Sequence, residues 1–124
     1  MSLLGKLLGR TGEDRAARFL VSQGYRILER NYSTRSGEID LIALHQGYVV
    51  FVEVKTRTSN AFGAPELAVT PQKQRRMTKA ALGYIKRKQL HQTPCRFDVV
   101  AVMPGAERPV EVIQNAFEMD SARI

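Results

Sequence analysis

Glu38-Ile39-Asp40-Leu41-Ile42-Ala43-Leu44 and Tyr48-Val49-Val50-Phe51-Val52-Glu53-Val54-Lys55-Thr56 decide the fold. Both runs are rich in Ile, Val, Leu and Phe, the composition of strands. Only Gln46-Gly47 stands between His45 and Tyr48, which predicts a tight hairpin. With His45 facing Tyr48, Asp40 lies opposite Glu53, and Glu38 lies opposite Lys55. Directly opposed side chains have Cβ atoms roughly 5 Å apart, so the two carboxylates repel unless a cation joins them. Side chains two apart share a face, so Glu53 and Lys55 point the same way. Ile42, Leu44, Val49 and Phe51 belong to that face too, which puts the charges at the edge of an apolar layer. A salt-bridge ladder on a solvated face is the structural alternative. The apolar surroundings favour a site, because buried charge is costly unless paired or bound to metal.

Lys55 supplies one compensating cation, and a divalent ion between Asp40 and Glu53 would supply a stronger one. An oxygen-only ligand set points to Mg²⁺ or Mn²⁺ rather than zinc. His45, at the turn, and His91, far away in sequence, read as surface residues. Glu13 precedes Ala16, Ala17 and Leu20 at helical spacing, at the N-terminal end of an inward-facing stripe. An acid in a first helical turn is also favoured by the helix dipole, so both readings of Glu13 stand at this point.

Working outward, a first helix is predicted from near Thr11, with Thr11 and Asp14 as a capping box, to Gly24. Residues 1–9 read as a flexible N-terminus. Tyr25 to Asn31 reads as a short strand. Arg57 to Thr70 is a long connection, of the kind that often carries function. Thr70-Pro71 then opens a second helix, with Thr as N-cap and Pro at the first helical position. Met77, Ala80, Ala81, Tyr84 and Ile85 form its packing stripe. Arg96 to Met103 is a further strand, and Val110 to Ile113 a last short one. This order predicts an α/β fold, a mixed sheet flanked by helices, in one domain spanning residues 1–124.

Net charge is +7, from 19 basic and 12 acidic side chains, which favours phosphate-rich partners. The excess is concentrated. Gln72 to Lys88 holds Lys73, Arg75, Arg76, Lys79, Lys86, Arg87 and Lys88 without one acid. Lys73, Arg75, Arg76 and Lys79 lie near the start of the second helix, and Arg35, Ser36 and Arg57 flank the two central strands. These seven are the candidate nucleic-acid contacts, set against a merely solvated helix face. The single cysteine, Cys95, rules out an internal disulfide framework and suits a cytoplasmic location. The N-terminal stretch is too short and interrupted for a membrane span. Cys95 and the methionines read as packing residues, and Asp98 either supports the site or pairs with Arg96 or a neighbouring base, the structural role being favoured.

Ile39-Asp40 followed by Glu53-Val54-Lys55 resembles the PD-(D/E)-x-K nuclease superfamily, with Ile39 in place of the proline. More narrowly, the chain resembles the bacterial YraN-like family. The matching segments are Gly12-Glu13, Arg30-Asn31-Tyr32, Gly37-Glu38-Ile39-Asp40-Leu41-Ile42, Phe51-Val52-Glu53-Val54-Lys55-Thr56-Arg57, Phe62-Gly63, Arg96-Phe97-Asp98-Val99-Val100 and Asn115-Ala116-Phe117. The resemblance implies a three-layer α/β/α restriction-endonuclease-like fold with a central mixed β-sheet, similar to archaeal Holliday-junction resolvases. It implies catalytic roles for Glu13, Asp40, Glu53 and Lys55, with Mg²⁺ or Mn²⁺ on Asp40 and Glu53. The implied activity is metal-dependent endonuclease cleavage of DNA, with branched or junction DNA as the narrower case. A homodimer would match the two equivalent cuts of a symmetric junction. The alternatives are a non-catalytic nucleic-acid-binding module that acts through protein partners, and a protein-interaction domain.

Overall fold

The computed structural model describes residues 3–58 and 63–119, with residues 3–10 described by backbone alone. Residues 1–2, 59–62 and 120–124 lie outside it, and with them the Phe62 match and part of the connection after Arg57. The order is α1 (Leu3–Ser22), β1 (Arg26–Ser33), β2 (Glu38–His45), β3 (Tyr48–Thr56), α2 (Pro71–Arg87), β4 (Cys95–Val102) and β5 (Val110–Phe117). A short 3-10 turn, Pro65–Ala68, leads into α2.

The five strands lie side by side in chain order. Neighbours are antiparallel except β3 and β4, which are parallel. A parallel pair needs a crossover, and α2 supplies it. The hairpin register is the one its two-residue turn dictates, with His45 opposite Tyr48 and Leu41 opposite Val52. Gln46 and Gly47 both take left-handed φ values, 52° and 84°, which match the twist of the flanking strands.

The helices cover opposite faces, giving the expected three-layer α/β/α arrangement. Met77, Ala80, Ala81, Tyr84 and Ile85 of α2 pack on Ile42, Val49, Phe51, Phe97 and Val99. Ala16, Ala17 and Leu20 of α1 pack on Leu41, Ala43, Val50, Val52, Val100 and Val102. Small residues bring α1 close to the sheet. A Cβ on Gly12 would run into Thr56 Oγ1, so glycine there lets α1 lie close against the end of β3 without displacing that hydroxyl.

Three expectations are corrected. α1 starts at Leu3, not near Thr11, so Thr11 and Asp14 lie within a helix rather than capping it. No proline interrupts Leu3 to Thr11, and the glycines there weaken a helix without ending it. β5 continues to Phe117, four residues past the predicted Ile113. Its ladder with β4 is irregular opposite Asp98, where Asn115 has φ 51°. The Asp98 carboxylate accepts the Asn115 N–H at 3.0 Å, and pairing resumes at Phe97 and Phe117.

His45 is buried, not on the surface. It ends β2 on the α1 side of the sheet, where Tyr25 stacks on it with ring centroids 3.8 Å apart. Arg96 donates to His45 Nδ1 at 3.0 Å. The same guanidinium grips fully buried Asp98 through two bonds of 2.9 and 3.0 Å, and Tyr25 Oη donates to Asp98 at 2.8 Å. The structural pairing of Asp98 with Arg96 is therefore as expected.

Candidate active site

The β2–β3 ladder stops at Leu41 and Val52, one pair short of Asp40 and Glu53. There the Asp40 side chain acts in place of a backbone acceptor. Its Oδ2 accepts the Val54 N–H at 2.8 Å. Facial alternation also breaks here, because Leu41 packs on the α1 side while Ile39 and Ile42 pack on the α2 side. Asn31 of β1 stands between the Arg30–Leu41 and Tyr32–Ile39 pairs and has φ 52°. Asp40 thus sits in the fork between β2 and β3.

Glu53 faces α2, with its side chain only 6% exposed. Lys73 Nζ donates to Glu53 Oε1 at 2.8 Å. Lys55 Nζ stands 4.0 Å from the same oxygen. Lys73 is delivered by the N-terminus of α2, where the Thr70 side chain accepts the Lys73 backbone N–H at 3.2 Å and Pro71 opens the helix. The Thr70-Pro71 start read in the sequence is therefore what aims this lysine into the site.

The electrostatics follow from crowding. Burial, and then repulsion from Glu53, raise the Asp40 pKa to about 7, while the Val54 N–H opposes them. Burial, and then the neighbouring Lys73 ammonium, lower the Lys55 pKa. For Lys73 burial is the largest influence and acts downward, but the hydrogen bond and charge of Glu53, joined by Lys55 and Asp40, together outweigh it and the pKa rises. One lysine is held as a cation while the other is eased toward giving up its proton.

Glu13 joins from α1. Burial and then the charge of Asp40 raise its pKa, with Arg30 opposing. With its amide nitrogen turned inward, Asn31 donates to both Glu13 oxygens, at 2.9 and 3.3 Å. Of the four residues singled out from the sequence, Asp40, Glu53 and Lys55 lie together at one end of β2 and β3, and Glu13 comes near enough to feel the charge of Asp40.

A cavity of about 390 Å³ opens above Asp40 and Glu53, between Gly37 and Glu38 on one side and Thr70, Lys73 and Arg76 on the other. Gly37 lets the β1–β2 loop reach α2, since a Cβ there would stand 3.0 Å from Arg76 Cβ. Past Gln72 and Arg76 the cavity continues into a groove of about 630 Å³ lined by Arg35, Ser36, Arg75 and Lys79. Five of the seven candidate nucleic-acid contacts line this groove. Lys73 belongs to the acidic cavity, and Arg57 donates to the Gly63 carbonyl at 2.8 Å. Sequence reading missed Asn31 as a partner of Glu13, and the direct Lys73–Glu53 pair. The Arg-Asn-Tyr segment was visible, but nothing in it marks a left-handed backbone.

The donor set suits a hard divalent ion. Asp40 and Glu53 offer only oxygen, and the Lys73 ammonium already occupies a cation position on Glu53. Among the described residues, no group of three or more His, Cys, Asp or Glu side chains is placed to hold an ion. The protein would supply two carboxylates and leave other positions to water, as Mg²⁺ sites commonly do.

Fold and site define an α/β protein with an acid–lysine cavity opening on a basic groove. The chain belongs to the uncharacterised protein family UPF0102, whose model it matches over residues 12–102. It is 50% identical to a UPF0102 protein of Trichlorobacter lovleyi over 125 aligned positions, covering 96% of this chain and 98% of that one. A Symbiobacterium thermophilum relative is 50% identical, with 92% and 98% covered. One from Geobacter sulfurreducens is 49% identical, with 92% and 91% covered. Among the described residues, no helix is long and apolar enough to cross a membrane.

Proposed function

We propose that this protein is a metal-dependent endonuclease of the PD-(D/E)-x-K type that hydrolyses phosphodiester bonds in DNA, with branched or junction DNA as the narrower case. The observation that carries the reading is that Asp40, Glu53 and Lys73 line a cavity sharing Gln72 and Arg76 with a basic groove, with Lys55 Nζ 4.0 Å from Glu53. A bound Mg²⁺ or Mn²⁺ supplies a polarised phosphodiester and a bound water of lowered pKa. Asp40 and Glu53 would hold the ion, and Glu13 would orient water around it. Lys55, with its weakened hold on a proton, is suited to accept one from the attacking water. Its ammonium form would offset charge on the pentacovalent transition state. Arg35, Ser36, Arg75, Arg76 and Lys79 grip the backbone and fix its register without reading sequence.

The test is cleavage of labelled duplex, single-stranded, flap and four-way-junction DNA with Mg²⁺ or Mn²⁺. Cleavage by the wild type, lost in Asp40→Asn and Lys55→Met while DNA binding persists, is the expected result. Undiminished cleavage in both variants removes this site from the mechanism. The specific observation on the side of a non-catalytic binding module is the Lys73–Glu53 pair, which balances the acid without a metal. That reading predicts DNA binding with no cleavage under any metal.

A further inference from the structure

Lys73 lies where helix electrostatics disfavour it. α2 has no acid in its first turn, and Lys73, Arg75 and Arg76 crowd its first two turns. The N-terminal end of a helix carries partial positive charge and favours anions. A local choice that opposes stability points to a demand from elsewhere. For Lys73 that demand is Glu53, 2.8 Å away, whose carboxylate is nearly buried.

The pairing conflicts with an ion at the same place. A divalent cation held by Glu53 and the ammonium at 2.8 Å repel each other, and the carboxylate oxygen cannot satisfy both closely. Lys55 does not meet this conflict equally, since it stands 4.0 Å away on the rigid strand. Lys73 sits on the cavity wall beside Gln72 and Arg76, where the cavity passes into the basic groove. A phosphate entering by that groove meets the Lys73 side chain on its way to the carboxylates.

We propose that Lys73 is a resident counter-ion of Glu53 that must leave before a divalent cation binds, and that a nucleic-acid phosphate receives it. Metal and nucleic acid then bind cooperatively through one ammonium. This rests on the reading of Asp40 and Glu53 as the ion-holding pair. Coupling of this kind is reciprocal, so each ligand tightens the other by the same factor.

The experiment is titration of the folded full-length protein with Mn²⁺, following free aqueous Mn²⁺ by electron paramagnetic resonance. Wild type, Lys73→Gln, Lys73→Arg and Glu53→Gln are compared, each without DNA and with a saturating duplex. In the absence of DNA, Lys73→Gln should bind Mn²⁺ more tightly than wild type, on the order of tenfold. Lys73→Arg, which keeps the cation, should stay near wild type. DNA should tighten Mn²⁺ binding to wild type and do so much less for Lys73→Gln. A merely structural role for Lys73 predicts weaker binding, the opposite sign. If Glu53→Gln abolishes binding while Lys73→Gln binds no better than wild type, the counter-ion is disproved and the metal site stands. Equal tightening by DNA in wild type and Lys73→Gln overturns the hand-over to phosphate. If neither wild type nor Lys73→Gln binds Mn²⁺ in either condition, the metal site and the counter-ion fail together.

Discussion

Asp40 is pulled in two directions. The Val54 N–H favours its charged form, while burial and Glu53 favour the neutral one, and the balance lies at about pH 7. A carboxyl whose pKa is raised by folding binds its proton more tightly in the folded chain. Its stabilising contribution is full below the ordinary value of 3.8 and is lost as pH rises through about 7. The raised pKa of Glu13 acts in the same sense. Urea unfolding should therefore show wild type losing stability between about pH 4 and pH 7, with Asp40→Asn flattening the loss by roughly 1–3 kcal/mol. A wild type that gains stability over that range contradicts the assignment. Asn is the apt replacement, because its amide oxygen can still accept the Val54 N–H. A divalent ion should act where the carboxylates are charged, so Mg²⁺ should raise the melting temperature more at pH 8 than at pH 5.

At the scale of elements, the site is framed by two close contacts where a side chain would crowd its neighbour. Gly12 lets α1 touch the end of β3, and Gly37 lets the β1–β2 loop touch α2. Gly12→Val should push α1 off Thr56 and carry Glu13 away from Asp40. The expected result is cleavage lost or sharply reduced, with stability lowered by roughly 1–3 kcal/mol, read by nuclease assay and urea unfolding. Full activity in that variant would detach Glu13 from the mechanism. Elements also show what was legible beforehand. The two-residue turn Gln46-Gly47 set the register, and with it the meeting of Asp40 and Glu53. Thr70-Pro71 set the start of α2. Local sequence could not reveal which α2 cation enters the acidic cavity, because that depends on how the helix rolls on Ile42, Val49 and Phe51. Nor could it show that His45 is covered, since Tyr25 arrives there from the start of β1, beside the end of β2. The left-handed turn of Asn31 was equally hidden, being imposed on a residue that tolerates it rather than demanded by a glycine.

Across the whole molecule, charge is segregated. At the turn end of the hairpin, on the α1 face, Arg96, Asp98, Tyr25 and His45 form a buried and mutually satisfied cluster. Removing one partner of such a pair leaves an uncompensated buried charge. Arg96→Ala should cost about 3–5 kcal/mol in urea unfolding, with DNA affinity of the folded protein retained. At the other end, the cavity and the basic groove leave cationic side chains open to a partner. Replacing Arg75, Arg76 and Lys79 together with Gln should weaken DNA binding across sequences and reduce the slope of log K against log salt by about 2–3. An unchanged slope would move the nucleic-acid path off α2.

The central claim is that one divalent ion bridges β2 and β3 through Asp40 and Glu53. Anomalous diffraction from crystals soaked in Mn²⁺ tests it most directly. The expected result is a peak roughly 2.1 Å from an oxygen of each carboxylate, with Lys73 withdrawn from Glu53. Under ion saturation, a site without such a peak and with Lys73 still paired to Glu53 would contradict it.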